Sequence, residues 1–173
     1  YDVWKYSLGL QYNHLINIPH EISDSSLRFF INILKTFTHS LGRFANREIT
    51  EQDLIEAIGL YNNIREKIIA LYEFRKEDPP LISGSDITKI LVAGAGIPGE
   101  EFNDLLTDII DEVSGRKKIE VENLPRVMVI GAQIDNMSFI DLVEDTGAVV
   151  VVDDLCPGTR EHYSPVSIDD DPI

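Results

Sequence analysis

The chain has 173 residues, with 15 Lys and Arg against 30 Asp and Glu, a formal charge of −15, and one cysteine. Such acidity argues against a broad nucleic-acid or anionic-membrane surface, where cations must displace counterions at each phosphate. A single thiol excludes an internal disulfide and a self-contained multi-thiolate metal site, while 43% hydrophobic and 26% charged residues are those of a globular protein.

The opening residues, YDVWKYSLGLQYNH, lack the basic stretch and apolar run of a secretory signal. No segment approaches the roughly 20 apolar residues of a bilayer span, so a reducing cytoplasm is the expected setting. The absence of an initiating Met, and an end in DDDPI shortly after a well-formed motif, suggest a piece of a longer protein. His14-Leu-Ile-Asn-Ile18, closed by Pro19, reads as one strand of a sheet lying largely elsewhere, so residues 1–23 are expected to end a truncated N-terminal α/β lobe.

Asp24 or Ser25 is expected to cap a helix whose stripe is Leu27, Phe30, Ile31, Leu34, Phe37 and Leu41, with Gly42 and Asn46 as stops. A second, long helix starts at Thr50, with Asp53 as its capping-box partner. Its stripe is Leu54, Ala57, Ile58, Tyr61, Ile64, Ile68, Leu71 and Tyr72, and Glu56, Arg65, Glu66, Lys67, Glu73, Arg75 and Lys76 fall to its solvent face. A short helix over 85–93 follows the double proline, Pro79-Pro80. Another over 98–114 has Pro98 in its first turn and the stripe Phe102, Leu105, Leu106, Ile109 and Val113.

After Gly115 the texture changes. Arg126 to Gly131 is a continuous apolar run, Phe139 to Glu144 an amphipathic helix, and Gly147 to Asp154 a second apolar run ending in two acids. That order is a βαβ unit, with both strands expected to be buried on both faces as in a parallel sheet. The fold class is therefore α/β: a helical region over 24–124, then part of a Rossmann-like parallel βαβ lobe over 125–173.

Gly94-Ala-Gly-Ile-Pro-Gly99 satisfies the G-x-G-x-x-G pattern, with Glu120 and Glu122 where a ribose-binding acid would sit. Against an NAD(P) site, Pro98 removes a backbone donor and Glu100 and Glu101 oppose a pyrophosphate, so a helix–turn–helix connection is preferred. Asp153 and Asp154 invite a Mg²⁺ reading, but adjacent strand residues point to opposite faces, and capping of the following loop is the better account. His14, His20, His39 and His162 show no metal-ligand spacing.

The sharpest feature is Cys156 in Asp153-Asp-Leu-Cys-Pro-Gly-Thr-Arg160, just past the carboxyl end of a strand. A tight turn there exposes the sulfur and is expected to leave backbone N–H groups for a thiolate or an inorganic sulfide. A phosphate-encircling Cys-to-Arg loop needs a longer span than the three residues present. An inert packed thiol is the commoner state of a lone cysteine, and position alone leaves both readings open.

The order of these pieces resembles the 2-hydroxyacyl-CoA dehydratase D-component family, which includes benzoyl-CoA reductase iron–sulfur subunits and double-cubane cluster proteins. The resemblance rests on Ile49 to Leu54, Ala57 to Asn62 with Arg65, Leu71-Tyr72 and Arg75-Lys76, the helix after Ser83-Gly-Ser85, Pro125 to Gly131, and above all Asp141 to Arg160. It implies that Cys156 is one thiolate ligand of a [4Fe-4S] cluster whose other cysteines lie outside this chain. Gly158, Thr159 and Arg160 are then neighbours of the cluster or thioester. The implied activity is radical elimination of water from an acyl-CoA, after an ATP-dependent activator delivers one electron, in an anaerobic cytoplasm and in a dimer with an identical or paralogous subunit. A benzoyl-CoA reductase-type or double-cubane reductase subunit is the alternative, and Glu161-His-Tyr163, in place of the aromatic pair the family often carries after the Arg, leaves substrate class and subunit type open. An NAD(P)-binding oxidoreductase and a noncatalytic interaction module are the readings from other classes. By itself this chain is expected to be catalytically silent, since one thiolate cannot hold a cubane.

Overall fold

A computed structural model describes residues 2–117, 124–134, 136–168 and 172–173. Glu120, Glu122 and the acidic run Asp169 to Asp171 lie outside these. The element order is α1 (Asp2–Ser7), α2 (Asp24–Ala45), α3 (Glu51–Lys76), α4 (Gly84–Gly94), α5 (Gly99–Ser114), β1 (Arg126–Ile130), α6 (Met137–Asp145), β2 (Val149–Asp154) and α7 (Thr159–His162). The chain divides into two compact units, residues 1–56 with 168–173, and residues 57–167.

In the first unit α2 is capped by Ser23, whose hydroxyl accepts the Ser26 N–H, one residue earlier than Asp24 or Ser25. The helix stops at Asn46, which adopts the left-handed conformation, with φ 51°. Gly42 continues the helix and is not a stop. The expected strand over 14–18 is absent. Instead Tyr12, just before the segment, stacks on Phe44 with centroids 4.8 Å apart, and His14 meets Phe37 at a tilt with centroids 5.2 Å apart, so ring contacts with α2 take the place of strand pairing. Leu27, at the start of the expected stripe, is exposed. The capping box at α3 is as expected: Asp53 Oδ2 accepts the Thr50 N–H at 2.7 Å, and Thr50 Oγ1 accepts the Asp53 N–H at 3.1 Å. The Thr50 N–H, then the Thr50 hydroxyl, then Arg47, all donating to the Asp53 carboxylate, hold it below its ordinary value.

In the second unit α3, α4 and α5 enclose a core of Ile64, Ile68, Leu71, Ile87, Phe102, Leu106 and Val113. Tyr61 and Leu105, expected in stripes, are largely exposed, at 51% and 40%. Ser83 caps α4, its Oγ accepting the Asp86 N–H at 2.9 Å. Ser83→Ala is expected to lower stability by roughly 1 kcal/mol, read as a lower urea midpoint with unchanged m.

The βαβ unit is present. β1 and β2 pair in parallel, with Val129 opposite Asp153 and Ile130 opposite Asp154, and α6 connects them. Val129, Ile140, Val150 and Leu155 form its small core. Burial on both faces does not hold for β1, whose Met128 and Ile130 are exposed, because among the described residues the sheet has two strands and one covered face. Glu144 of α6 joins the lobe to α4, its carboxylate accepting the N–H groups of Gly84 and Ser85 at 2.9 and 3.1 Å. No helix among the described residues is long and apolar enough to cross a membrane.

Candidate functional site

The site forms where β2 ends. Asp153 and Asp154 face opposite ways, as strand geometry demands. Asp153 turns inward and is buried, 6% exposed, against α3. Its Oδ2 accepts from Arg75 Nη2 at 2.7 Å, and Arg75 is 2% exposed. The guanidinium lies 4.5 Å from the centroid of the Tyr72 ring. Asp153 Oδ1 reaches forward into the loop, accepting the Thr159 N–H at 3.0 Å and the Thr159 hydroxyl at 3.2 Å. The pair therefore joins α3, β2 and the loop in one network of charge-assisted hydrogen bonds.

Asp154 turns outward and grips Arg160 with both oxygens, Nε to Oδ1 at 2.5 Å and Nη2 to Oδ2 at 2.9 Å. That bidentate contact holds the Asp154 carboxyl below its ordinary value. Arg160 Nη1 then donates to Cys156 Sγ at 3.7 Å. Cys156 is exposed and free. The two acids thus hold the loop from opposite sides, one through Thr159 and one through Arg160, which is the loop-capping role preferred over Mg²⁺ binding.

One expectation is corrected here. The turn does not leave its amides free for sulfur: Cys156 N–H donates to Ala132 O at 2.8 Å, Gly158 and Arg160 N–H both donate to Leu155 O, and Thr159 donates to Asp153. Pro157 has no N–H to offer. The polar neighbour of the thiol is the Arg160 side chain instead. Gly158 is buried over the Asp153 carboxylate, where an added Cβ would stand 2.2 Å from Oδ1.

Arg75 is the residue that sequence reading placed wrongly, on the solvent face of α3. Its spacing gave the right answer: it stands four residues after Leu71 and seven after Ile68, on the buried stripe. Tyr72 sets its ring against the Arg75 guanidinium, and burial, then the Asp153 carboxylate, pushes its phenol above the ordinary value. A cavity of about 220 Å³ adjoins the pair, its walls including Thr159 and His162. Burial holds the His162 imidazole below its ordinary value.

The glycine-rich string is not a phosphate loop. Ile90 to Ala93 is helical, and Gly94 to Gly99 joins the end of α4 to the start of α5. A Cβ at Gly94 would lie 2.3 Å from the Phe102 ring, so close helix–helix contact explains that glycine. Among the described residues no group of three His, Cys, Asp or Glu side chains is disposed to hold a metal ion. What this chain offers a metal is one exposed thiol with a guanidinium beside it, which fits one corner of a thiolate-ligated cluster.

The chain thus presents a parallel α/β lobe with an exposed thiol just past the carboxyl end of β2, the edge at which open α/β sheets gather ligands. The sequence matches the family described as 2-hydroxyglutaryl-CoA dehydratase, D-component, over residues 1–173, and the chain belongs to that family. It is 24% identical to a benzoyl-CoA reductase subunit of Thauera aromatica over 176 residues, covering 99% of this chain and 45% of that protein. It is 25% identical to "Putative dehydratase subunit YjiM" of Escherichia coli (strain K12) over 171 residues, covering 91% of this chain and 43% of that protein. The chain spans less than half the length of either relative.

Proposed function

We propose that this chain carries, in Cys156, one thiolate ligand of a [4Fe-4S] cluster within a 2-hydroxyacyl-CoA dehydratase subunit of the cytoplasm, the remaining ligands coming from cysteines outside these 173 residues. The observation that carries the reading is the anchored, exposed Cys156 thiol with Arg160 Nη1 at 3.7 Å, in a chain of the dehydratase D-component family. When bound, the cluster supplies one-electron chemistry at low potential to an acyl-CoA thioester, with an ATP-dependent activator as electron donor and an identical or paralogous subunit as partner.

The protein's part is positional and electrostatic. Asp153 and Asp154 fix both ends of the loop, Gly158 lets the backbone cross the Asp153 carboxylate, and Thr159 ties the turn to it. Arg160, its charge paired with Asp154, donates a hydrogen bond from Nη1 to the sulfur, a contact of the kind that tunes cluster potentials.

The test is anaerobic purification of the intact subunit with iron and acid-labile sulfide analysis and EPR of the reduced protein. Cys156→Ala is expected to lose the cluster signal and dehydration of a 2-hydroxyacyl-CoA together. A wild-type protein without iron and sulfide, or a Cys156→Ala protein that keeps cluster and activity, would falsify the reading. Similarity to the benzoyl-CoA reductase protein of Thauera aromatica favours aromatic thioester reduction as the second reading. Product analysis with benzoyl-CoA in the same assay separates the two.

A further inference from the structure

We propose that the buried Arg75–Asp153 pair is the positioning element of the Cys156 loop, so that α3 sets where the thiol points. This rests on the cluster reading of Cys156 for its chemical consequence, and on geometry alone for its structural one.

A buried ion pair is a poor way to gain stability, because desolvating two charges offsets most of their attraction, and apolar side chains of similar volume pack as well. What apolar side chains could not do is orient an acceptor. Arg75 takes one oxygen of Asp153 and thereby aims the other at the amide and hydroxyl of Thr159. The backbone between Cys156 and Thr159 is then pinned from beneath. Without that anchor the loop has room to move, since Thr159 and His162 border the adjoining cavity of about 220 Å³. On the outer side Arg160 is held by Asp154, both substantially exposed, 44% and 41%, and the other tether is the backbone bond from Cys156 N–H to Ala132 O at 2.8 Å. An exposed pair is a weaker tether than a buried one, being screened by water and salt.

The experiment uses the intact subunit with the double substitution R75M/D153L, which removes both charges and keeps the apolar volume, beside Arg75→Lys, which keeps the charge and loses the planar fork. In metal-free protein, amide hydrogen exchange over Cys156–Arg160 is expected to accelerate many-fold in R75M/D153L, with α5 amides unchanged and Arg75→Lys intermediate. In reconstituted protein, the EPR g-values and midpoint potential of the cluster are expected to shift in the same order. Wild-type exchange rates in the double variant would overturn the proposal. So would faster exchange with unchanged g-values and potential, because the pair would then be structural only. Should R75M/D153L not fold, Thr159→Ala removes the hydroxyl half of the same link and leaves the N–H half, so the same two readouts decide, with smaller shifts in the same direction expected. Failure of the cluster reading is distinguishable: it shows as cluster retention in Cys156→Ala, and leaves the exchange result intact.

Discussion

Replacing Asp153 with Ala is expected to cost about 3–5 kcal/mol of folding stability, the range for breaking a buried pair and stranding its partner. The stranded group is the Arg75 guanidinium, 2% exposed, with Nε already lacking a hydrogen-bond partner among the described residues. Removing Asp153 leaves Nη2 in the same condition and takes from both Thr159 donors, the N–H and the hydroxyl, their shared acceptor Oδ1. Arg75→Met leaves Asp153 buried without its cation and is expected to fall in the same range. The two losses do not add. The R75M/D153L double variant is expected to regain most of the stability, because neither charge then needs desolvation. Urea denaturation of the wild type, Arg75→Met, Asp153→Leu and R75M/D153L, read as a double-mutant cycle, checks this. A double variant as unstable as the sum of the singles would show that the pair is not the unit of the effect.

That pair also marks the limit of what the sequence disclosed. The helical region and the βαβ unit were legible because each rests on local periodicity: Ile64, Ile68, Leu71 and Tyr72 recur at helical spacing, and Val149 to Asp154 is an apolar run closed by acids. The capping box of Thr50 and Asp53 is a contact between residues three apart, so spacing alone reveals it. Cys156 and Arg160 stood out for the same reason, being four residues apart in one turn. Arg75 and Asp153 are 78 residues apart, and nothing local to either names the other. Residue type suggested solvent for Arg75 while position on the stripe suggested the core, and position was the better guide, because a buried guanidinium is allowed wherever a carboxylate meets it. The segment over 14–18 failed for a related reason. An apolar run closed by proline has the texture of a strand, but whether it pairs or lays its rings on a helix is decided by partners distant in sequence, here Phe37 and Phe44.

Gly158→Ala is expected to lower stability by about 1–3 kcal/mol through overpacking and to disturb the Cys156 loop at the same time. The added Cβ would stand 2.2 Å from Asp153 Oδ1 and 3.4 Å from Leu155 Cβ. A flexible neighbour could swing aside cheaply, but this carboxylate is held by Arg75 on one oxygen and by Thr159 on the other. Relief therefore means giving up the Thr159 bonds or moving the turn that carries the thiol. Gly59→Ala provides the contrast. Gly59 lies inside α3 with nothing among the described residues within 4 Å of the added Cβ beyond the helix's own backbone, so there the methyl group has room. Alanine at that position is expected to raise stability by about 0.5–1 kcal/mol through helix propensity. Opposite shifts of the urea midpoint, with only Gly158→Ala lowering the iron content of the anaerobically purified subunit, would tie the glycine requirement at 158 to the carboxylate beneath it. If Gly158→Ala matches wild type in both measurements, the Asp153 side chain is freer than its three hydrogen bonds imply, and the loop is not fixed from below.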